Sequence, residues 1–247
     1  MRQKFAALVE KAAGVGLKIN ASKTKEMRIR SPANTGNINC VGEVLEQVSA
    51  FTYLGSLITT TGGTEEDVEA RCRKAQVAFS ISRPIWRSNF ISLRTKIRIF
   101  NSNGKSVLIY GSETWRLTKK IITQLQTFTN RRLRYILGVW WPKKISNEEL
   151  WQRTQQERIE VTIRRRKWRW IGHTLRKPAT NITRLSLEWN PQGVRRKGRP
   201  RKSWRRTTQQ EYEDLGMSWE EVERTAKNRI RWKAVVDALC SGRSGED

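Results

Sequence analysis

Apolar residues recur along most of this chain at the three- and four-residue spacing of helices that bury one face. Phe5, Leu8, Val9 and Ala12 share such a face over residues 2–13, and Gly14 and Gly16 stop the helix. The pattern then changes. After Ser31-Pro32 and Asn34-Thr35-Gly36, the stretches 44–48 and 51–58 are short and rich in β-branched and aromatic residues, which predicts strands, with a loop over 59–63. Helical spacing returns at Thr64-x-x-Asp67, a capping-box pattern ahead of Val68, Cys72, Ala75 and Phe79, and Pro84 ends or kinks that helix.

Ser92 opens the next helix through Leu93, Ile97 and Phe100, and the polar run 101–104 is expected to interrupt it, as in a sequence under drift. Thr118 caps a third, with Ile121 or Ile122, Leu125, Phe128, Leu133 and Ile136 buried and Gly138 as its stop. Ser146-x-x-Glu149 and Ser218-x-x-Glu221 are two further capping boxes. A long helix is expected beyond Gln156, through Ile159, Ile163 and Trp170 to about Arg176, with Trp170 inward and Trp168 elsewhere. A last one buries Trp219, Val222, Ile230, Val235 and Leu239. The fold class is therefore mainly α with a small β element near the N-terminus (α+β). Three regions are expected: 1–63, 64–150 and 151–247.

Hydrophobic residues make up only 37% of the 247 positions, so the core is modest, yet 11 Trp, 6 Phe and 4 Tyr are too many for a solvated tail. No apolar run approaches a membrane span; the longest is 135–141. Three distant cysteines and a single histidine, His173, give no disulfide framework and no zinc site needing two histidines, and predict reduced thiols in an intracellular protein.

Charge changes the picture. Lys and Arg number 49 against 23 Asp and Glu, a net charge of +26. More than half of the excess lies in 151–206, where Glu157, Glu160 and Glu188 are the acids. Such crowding is self-repulsive without a polyanion, and nucleic acid supplies one. A membrane surface is the weaker partner, because the basic span lacks a clean apolar face. Within it, Arg164-Arg165-Arg166-Lys167-Trp168-Arg169-Trp170 interleaves cations for phosphates with indoles for unpaired bases, although a Trp here also suits a core. Arg176 follows as a further phosphate contact, and His173, with no nucleophile near it in sequence, as a phosphate contact or a hydrogen-bonded structural residue. Arg195-Arg196-Lys197-Gly198-Arg199-Pro200-Arg201-Lys202 cannot be helical; it resembles an AT-hook strip for a narrow minor groove, and equally a basic linker or nuclear-import signal, so a nuclear location is expected. The carboxylate clusters at 65–69 and 220–223 fall in opening helical turns, where they complement the helix dipole.

Several ordered stretches resemble a known family. Gly16-Leu17-Lys18-Ile19-Asn20-x-x-Lys23-Thr24-Lys25-x-Met27 resembles motif D of reverse transcriptases of non-LTR retrotransposons, and Phe51-x-Tyr53-Leu54-Gly55-Ser56 resembles the primer-gripping hairpin that follows it. Tyr110-Gly111-x-Glu113-Thr114-Trp115 and Arg131-Arg132-Leu133-x-x-Ile136-Leu137-Gly138 look like the thumb and the segment beyond it. Trp168-x-x-Ile171-Gly172-His173-x-x-Arg176, Gly198-Arg199-Pro200 with Trp204, and the ending Arg231-Trp232 to Ala238-Leu239-Cys240 are similar to the C-terminal part of RTE-type elements.

The resemblance implies a palm end, a helical thumb and a basic tail that hold RNA or DNA template–primer or duplex. It implies that Lys23, in preference to Lys25, assists proton transfer to leaving pyrophosphate, and that Tyr53, Leu54 and Gly55 contact the primer. In that family the catalytic Tyr-x-Asp-Asp motif comes before motif D, and these residues contain no Asp-Asp pair. Two-metal phosphoryl transfer needs carboxylates holding cations about 3.5–4 Å apart. Mg²⁺ is thus expected for the full-length enzyme, no cofactor for this chain, and binding without polymerisation.

Overall fold

A computed structural model describes residues 2–29, 38–40, 42–188 and 203–241, which are mostly helical with a few small strands. Two units can be distinguished, 1–70 and 71–247. The first opens with α1 (Arg2–Gly14) and a 3₁₀ turn over Ala21–Lys23. The Asn20 side chain caps that turn, accepting from the Lys23 N–H at 3.0 Å. Its strands are β1 (Lys25–Glu26), β2 (Asn39–Cys40), β3 (Glu43–Val44), β4 (Glu46–Gln47), β5 (Ala50–Tyr53) and β6 (Ser56–Thr59). They form three pairs: β1 with β4 in parallel, β2 with β3 and β5 with β6 antiparallel.

The stretch 51–58, whose composition predicts one strand but whose motif resembles a hairpin, forms the β5–β6 hairpin. Leu54 and Gly55 both have positive φ, 47° and 84°, the turn whose twist matches the flanking strands. Glycine adopts that conformation without strain, whereas Leu54 bears a steric penalty for it. α2 (Glu65–Ile81) follows, and its Asp67 carboxylate accepts the Leu57 N–H at 2.9 Å, tying the helix start to β6.

The second unit continues with α3 (Arg83–Arg87), Pro84 lying in its first turn, and α4 (Leu93–Ile99), capped by Ser92. The polar run 101–104 interrupts the α-helical hydrogen bonding, as expected, but not the helical course of the chain. A π-helical segment, Phe100–Lys105, carries it into α5 (Ser106–Leu108). Gly104 makes room for the fully buried Phe100 ring, which a Cβ there would meet at 3.0 Å. The Ser102 and Ser106 hydroxyls bond to carbonyls of the preceding turn. Burial of Phe100 and Leu108 thus outweighs the weak propensity of the polar residues, and the expected sign of drift is a packed element.

α6 (Lys119–Leu137) runs from the Thr118 cap to Gly138, where φ of 67° ends it. α7 (Asn147–Thr154) is capped by Ser146, and α8 (Ile159–Leu175) follows. Then come α9 (Ile182–Glu188), α10 (Trp204–Glu213), α11 (Trp219–Ala226) and α12 (Arg229–Ser241). Ser218 and Glu221 complete a reciprocal capping box.

The single last helix expected beyond Ser218 is two. Asn228 accepts the N–H groups of Ile230 and Arg231 and restarts the chain as α12. The restart puts Trp232 and Val236 inward and leaves Ile230 84% exposed, against expectation.

Two apolar clusters stand out among the described residues of this unit. In one, Phe79 stacks on Trp86 at 5.1 Å and meets Tyr135 edge-on, with Phe100, Leu133 and Leu150 around them. In the other, Trp168, Ile171, Val222, Trp232 and Val236 pack together. Trp168 is therefore core and Trp170 only half-buried, the reverse of the sequence expectation. The cause is α12, which covers the Trp168 side of α8: the Trp232 indole donates to the Trp168 carbonyl at 3.1 Å.

Candidate nucleic-acid interface

α8 was expected to present a run of phosphate-seeking cations, and its packing divides them. Arg164 and Lys167 are buried. Lys167 Nζ lies 2.7 Å from the Glu211 carboxylate, and Arg164 reaches Glu160 at 2.6 Å and Glu211 at 3.7 Å. Burial pushes the Lys167 ammonium below the usual lysine value, with Glu211 pulling the other way. These two cations are engaged inside the protein, so a phosphate could meet them only after α10 left. Arg165 holds Glu157, a bond that raises its pKa, and Arg166 reaches Glu113 at 2.7 Å. Arg176 donates to the Ala226 carbonyl at 3.0 Å, at the last turn of α11.

Arg169 and His173 remain. They are exposed, one turn apart on the same face, and carry no ion pair among the described residues. Arg83, Arg87, Arg94 and Arg98, on α3 and α4, are likewise exposed without an ion pair among the described residues. Arg195, Arg196, Lys197, Arg199, Arg201 and Lys202 lie outside the described residues.

In the first unit the Lys23 side chain is exposed, whereas Lys25 is paired with Glu46. Tyr53 and Leu54 are exposed at the tip of the β5–β6 hairpin, beside Gly55. Among the described residues, no three His, Cys, Asp or Glu side chains come together in a way that could hold a metal ion, so these residues do not fit a two-cation site. No helix of the described residues is long and apolar enough to cross a membrane.

Comparison with known proteins adds an origin. The model of a family described as "Domain of unknown function (DUF6451)" matches residues 78–110, which run from the end of α2 through α5 to Tyr110. The chain is 26% identical to an uncharacterized transposon-derived protein of Caenorhabditis elegans, over 93% of this chain and 86% of that protein. The likeness is to a transposon-derived protein. No solved structure matches.

Two residues that organise the basic helix were not singled out from sequence for this role. Glu211 takes Lys167, Arg164 and the Trp168 indole together. Glu113 sits in a 3₁₀ turn after Gly111, whose φ is 75°; its carboxylate takes Arg166 and its carbonyl accepts the Trp204 indole at 2.8 Å. Their signal was scarcity: each is an acid in or beside a strongly cationic stretch, where an acid has many partners to choose from.

Proposed function

We propose that this chain is a nucleic-acid-binding part of a transposable element's replication protein, equivalent to a reverse transcriptase from motif D onward. It grips template–primer or duplex and does not itself polymerise. Two findings support the origin: the order of the resembling motifs and the near full-length likeness to a transposon-derived protein.

One observation carries the binding role. Glu113, Glu157, Glu160 and Glu211 are consumed by internal pairs with Arg164, Arg165, Arg166 and Lys167, which leaves Arg169 and the α3–α4 arginines as exposed cations without counter-charges among the described residues, with the exposed His173 imidazole beside Arg169. Phosphates are the natural counter-charge, and their condensed counterions are released on binding. In this reading Lys23 lies near the leaving pyrophosphate of the complete enzyme, and Tyr53, Leu54 and Gly55 face the primer.

Fluorescence anisotropy of the whole chain with labelled duplex and RNA–DNA hybrid, across a salt series, tests the proposal. With roughly six to eight phosphates neutralised, log K falls with log salt at a slope of about −5 to −7. A flat response, or no binding in dilute buffer, overturns it. Template-dependent primer extension by the purified chain in Mg²⁺ would overturn the non-polymerising part.

A further inference from the structure

We propose that the cleft between α3, α4 and the C-terminal end of α6 is a pocket for one unpaired nucleobase, and hence a site for single-stranded nucleic acid distinct from the basic face of α8. The proposal rests on the chain binding nucleic acid, and it names where a strand without a complement is held. The cleft has a volume of about 480 Å³, within the range of small-molecule sites, and Trp86, Arg87, Asn89, Lys96, Tyr135 and Trp140 help to line it. Among the described residues no carboxylate lines it.

Trp140 is the platform. It follows Gly138, whose left-handed φ of 67° turns the chain off α6, and the Val139 N–H closes that turn on the Arg134 carbonyl at 3.0 Å. The indole leans edge-on against Tyr135, with centroids 5.1 Å apart and planes at 80°. Tyr135 in turn meets the core ring of Phe79 at 5.5 Å. The Trp140 ring is thereby held in place from the core, yet 58% of the residue stays exposed. An indole fixed in position and left in water offers a flat π surface, which every base can cover.

The surroundings suit the rest of a nucleotide. Arg87 is exposed with no ion pair among the described residues, and the Lys96 ammonium, which donates to the Trp86 carbonyl at 2.9 Å, has further donors to offer. The Asn89 side chain, exposed at the rim, makes no hydrogen bond among the described residues and can donate to and accept from a base edge. Beyond Trp140, Trp141 is also exposed, with the Lys144 ammonium 4.8 Å from its ring centroid, so aromatic and cationic groups continue along the next stretch of strand. The carboxylate side chains of an acidic peptide would meet the cations but offer no flat ring to Trp140, and paired bases keep their faces stacked on each other. A single strand satisfies both features.

The test measures the anisotropy of the full chain with a short labelled single strand and with a duplex of the same sequence. Trp140→Ala is expected to weaken single-strand binding by roughly five- to a hundredfold and duplex binding by less than about twofold, while Trp140→Phe keeps most of the affinity. Arg87→Ala should flatten the single-strand salt slope by about 0.7. Each variant is first checked for a wild-type melting curve. The pocket is refuted if folded Trp140→Ala binds the single strand as wild type does, or loses both ligands equally. It is also refuted, with the proposed function left standing, if the wild type binds duplex but no single strand. Binding of neither ligand by the wild type removes both proposals.

Discussion

The Trp168 indole N–H donates to the Glu211 carboxylate at 2.6 Å, joining α8 to a residue 43 positions later on α10. The same carboxylate meets the Lys167 ammonium at 2.7 Å, and all three groups are buried. Removing the acid strands the Lys167 ammonium and an indole donor in a medium that solvates neither, while Arg164 keeps Glu160. Glu211→Ala is therefore expected to cost about 3–5 kcal/mol, because breaking a buried pair leaves an uncompensated charge. Urea unfolding measures it. The double variant Lys167→Met/Glu211→Leu should recover most of the loss, and a single variant within about 1 kcal/mol of wild type would show that the cluster is solvated.

At Gly172 the backbone of α8 comes close against the Trp232 ring of α12. A Cβ there would lie 2.0 Å from Trp232 Nε1, inside the indole that donates to the Trp168 carbonyl. Neither the ring nor the helix can withdraw without opening the core, so Gly172→Ala should destabilise by about 3 kcal/mol or more. Gly14, at the end of α1, has nothing within 4 Å of the corresponding position. Gly14→Ala is expected to be neutral or to stabilise by about 0.5–1 kcal/mol through helix propensity. Thermal melts of the two variants check the contrast, and equal melting temperatures would mean that α12 does not pack here.

What was legible in the sequence was local. Ser92, Thr118, Ser146 and Ser218 act as the caps they were expected to be, and Gly138 stops α6, because a cap is decided by a few neighbouring atoms. Where helices meet, the sequence misled. The helical wheel of α8 carries indoles on two sides, and which one is core depends on α12, more than sixty residues away. The polar run 101–104 reads as a break until Phe100 is seen to need the space at Gly104. The proposed binding face suffered most: a row of Arg and Lys looks uniform in sequence, while Glu211, Glu113 and Glu157 withdraw four of its members.

A pH effect follows from Lys105. It is buried in the π segment, where its ammonium donates to Gln156 Oε1 at 3.1 Å. Burial lowers its pKa from the ordinary 10.5, Glu157 opposes the shift and Arg165 adds to it. Below the folded value both states hold the proton and the folded state carries a constant penalty. Between the folded value and 10.5 the unfolded chain binds more protons, so this group's contribution to stability rises with pH. Lys105→Met removes the penalty while keeping the apolar stem. The difference in urea midpoint between Lys105→Met and wild type should thus shift in favour of the wild type as pH climbs from neutral toward 10.5. A difference that stays constant across that range would place the ammonium in water.

The division of α8 into buried and exposed cations separates stability from binding. Arg169 points to solvent without an ion pair among the described residues, so Arg169→Ala removes charge and nothing that holds the fold. It should leave the melting temperature unchanged, weaken duplex and hybrid alike, and reduce the salt slope by about 0.9 for one lost phosphate contact. Lys167 is buried against Glu211, so Lys167→Ala leaves that carboxylate short of a partner and should cost about 3 kcal/mol or more of stability. Corrected for the fraction folded, its affinity and salt slope should match the wild type, because the lost cation never faced solvent. Measuring melting and salt-dependent anisotropy on both variants distinguishes the two roles. If Lys167→Ala lost phosphate contacts and Arg169→Ala did not, α8 would have to turn its other face to the nucleic acid, and the Glu211 cluster would open on binding.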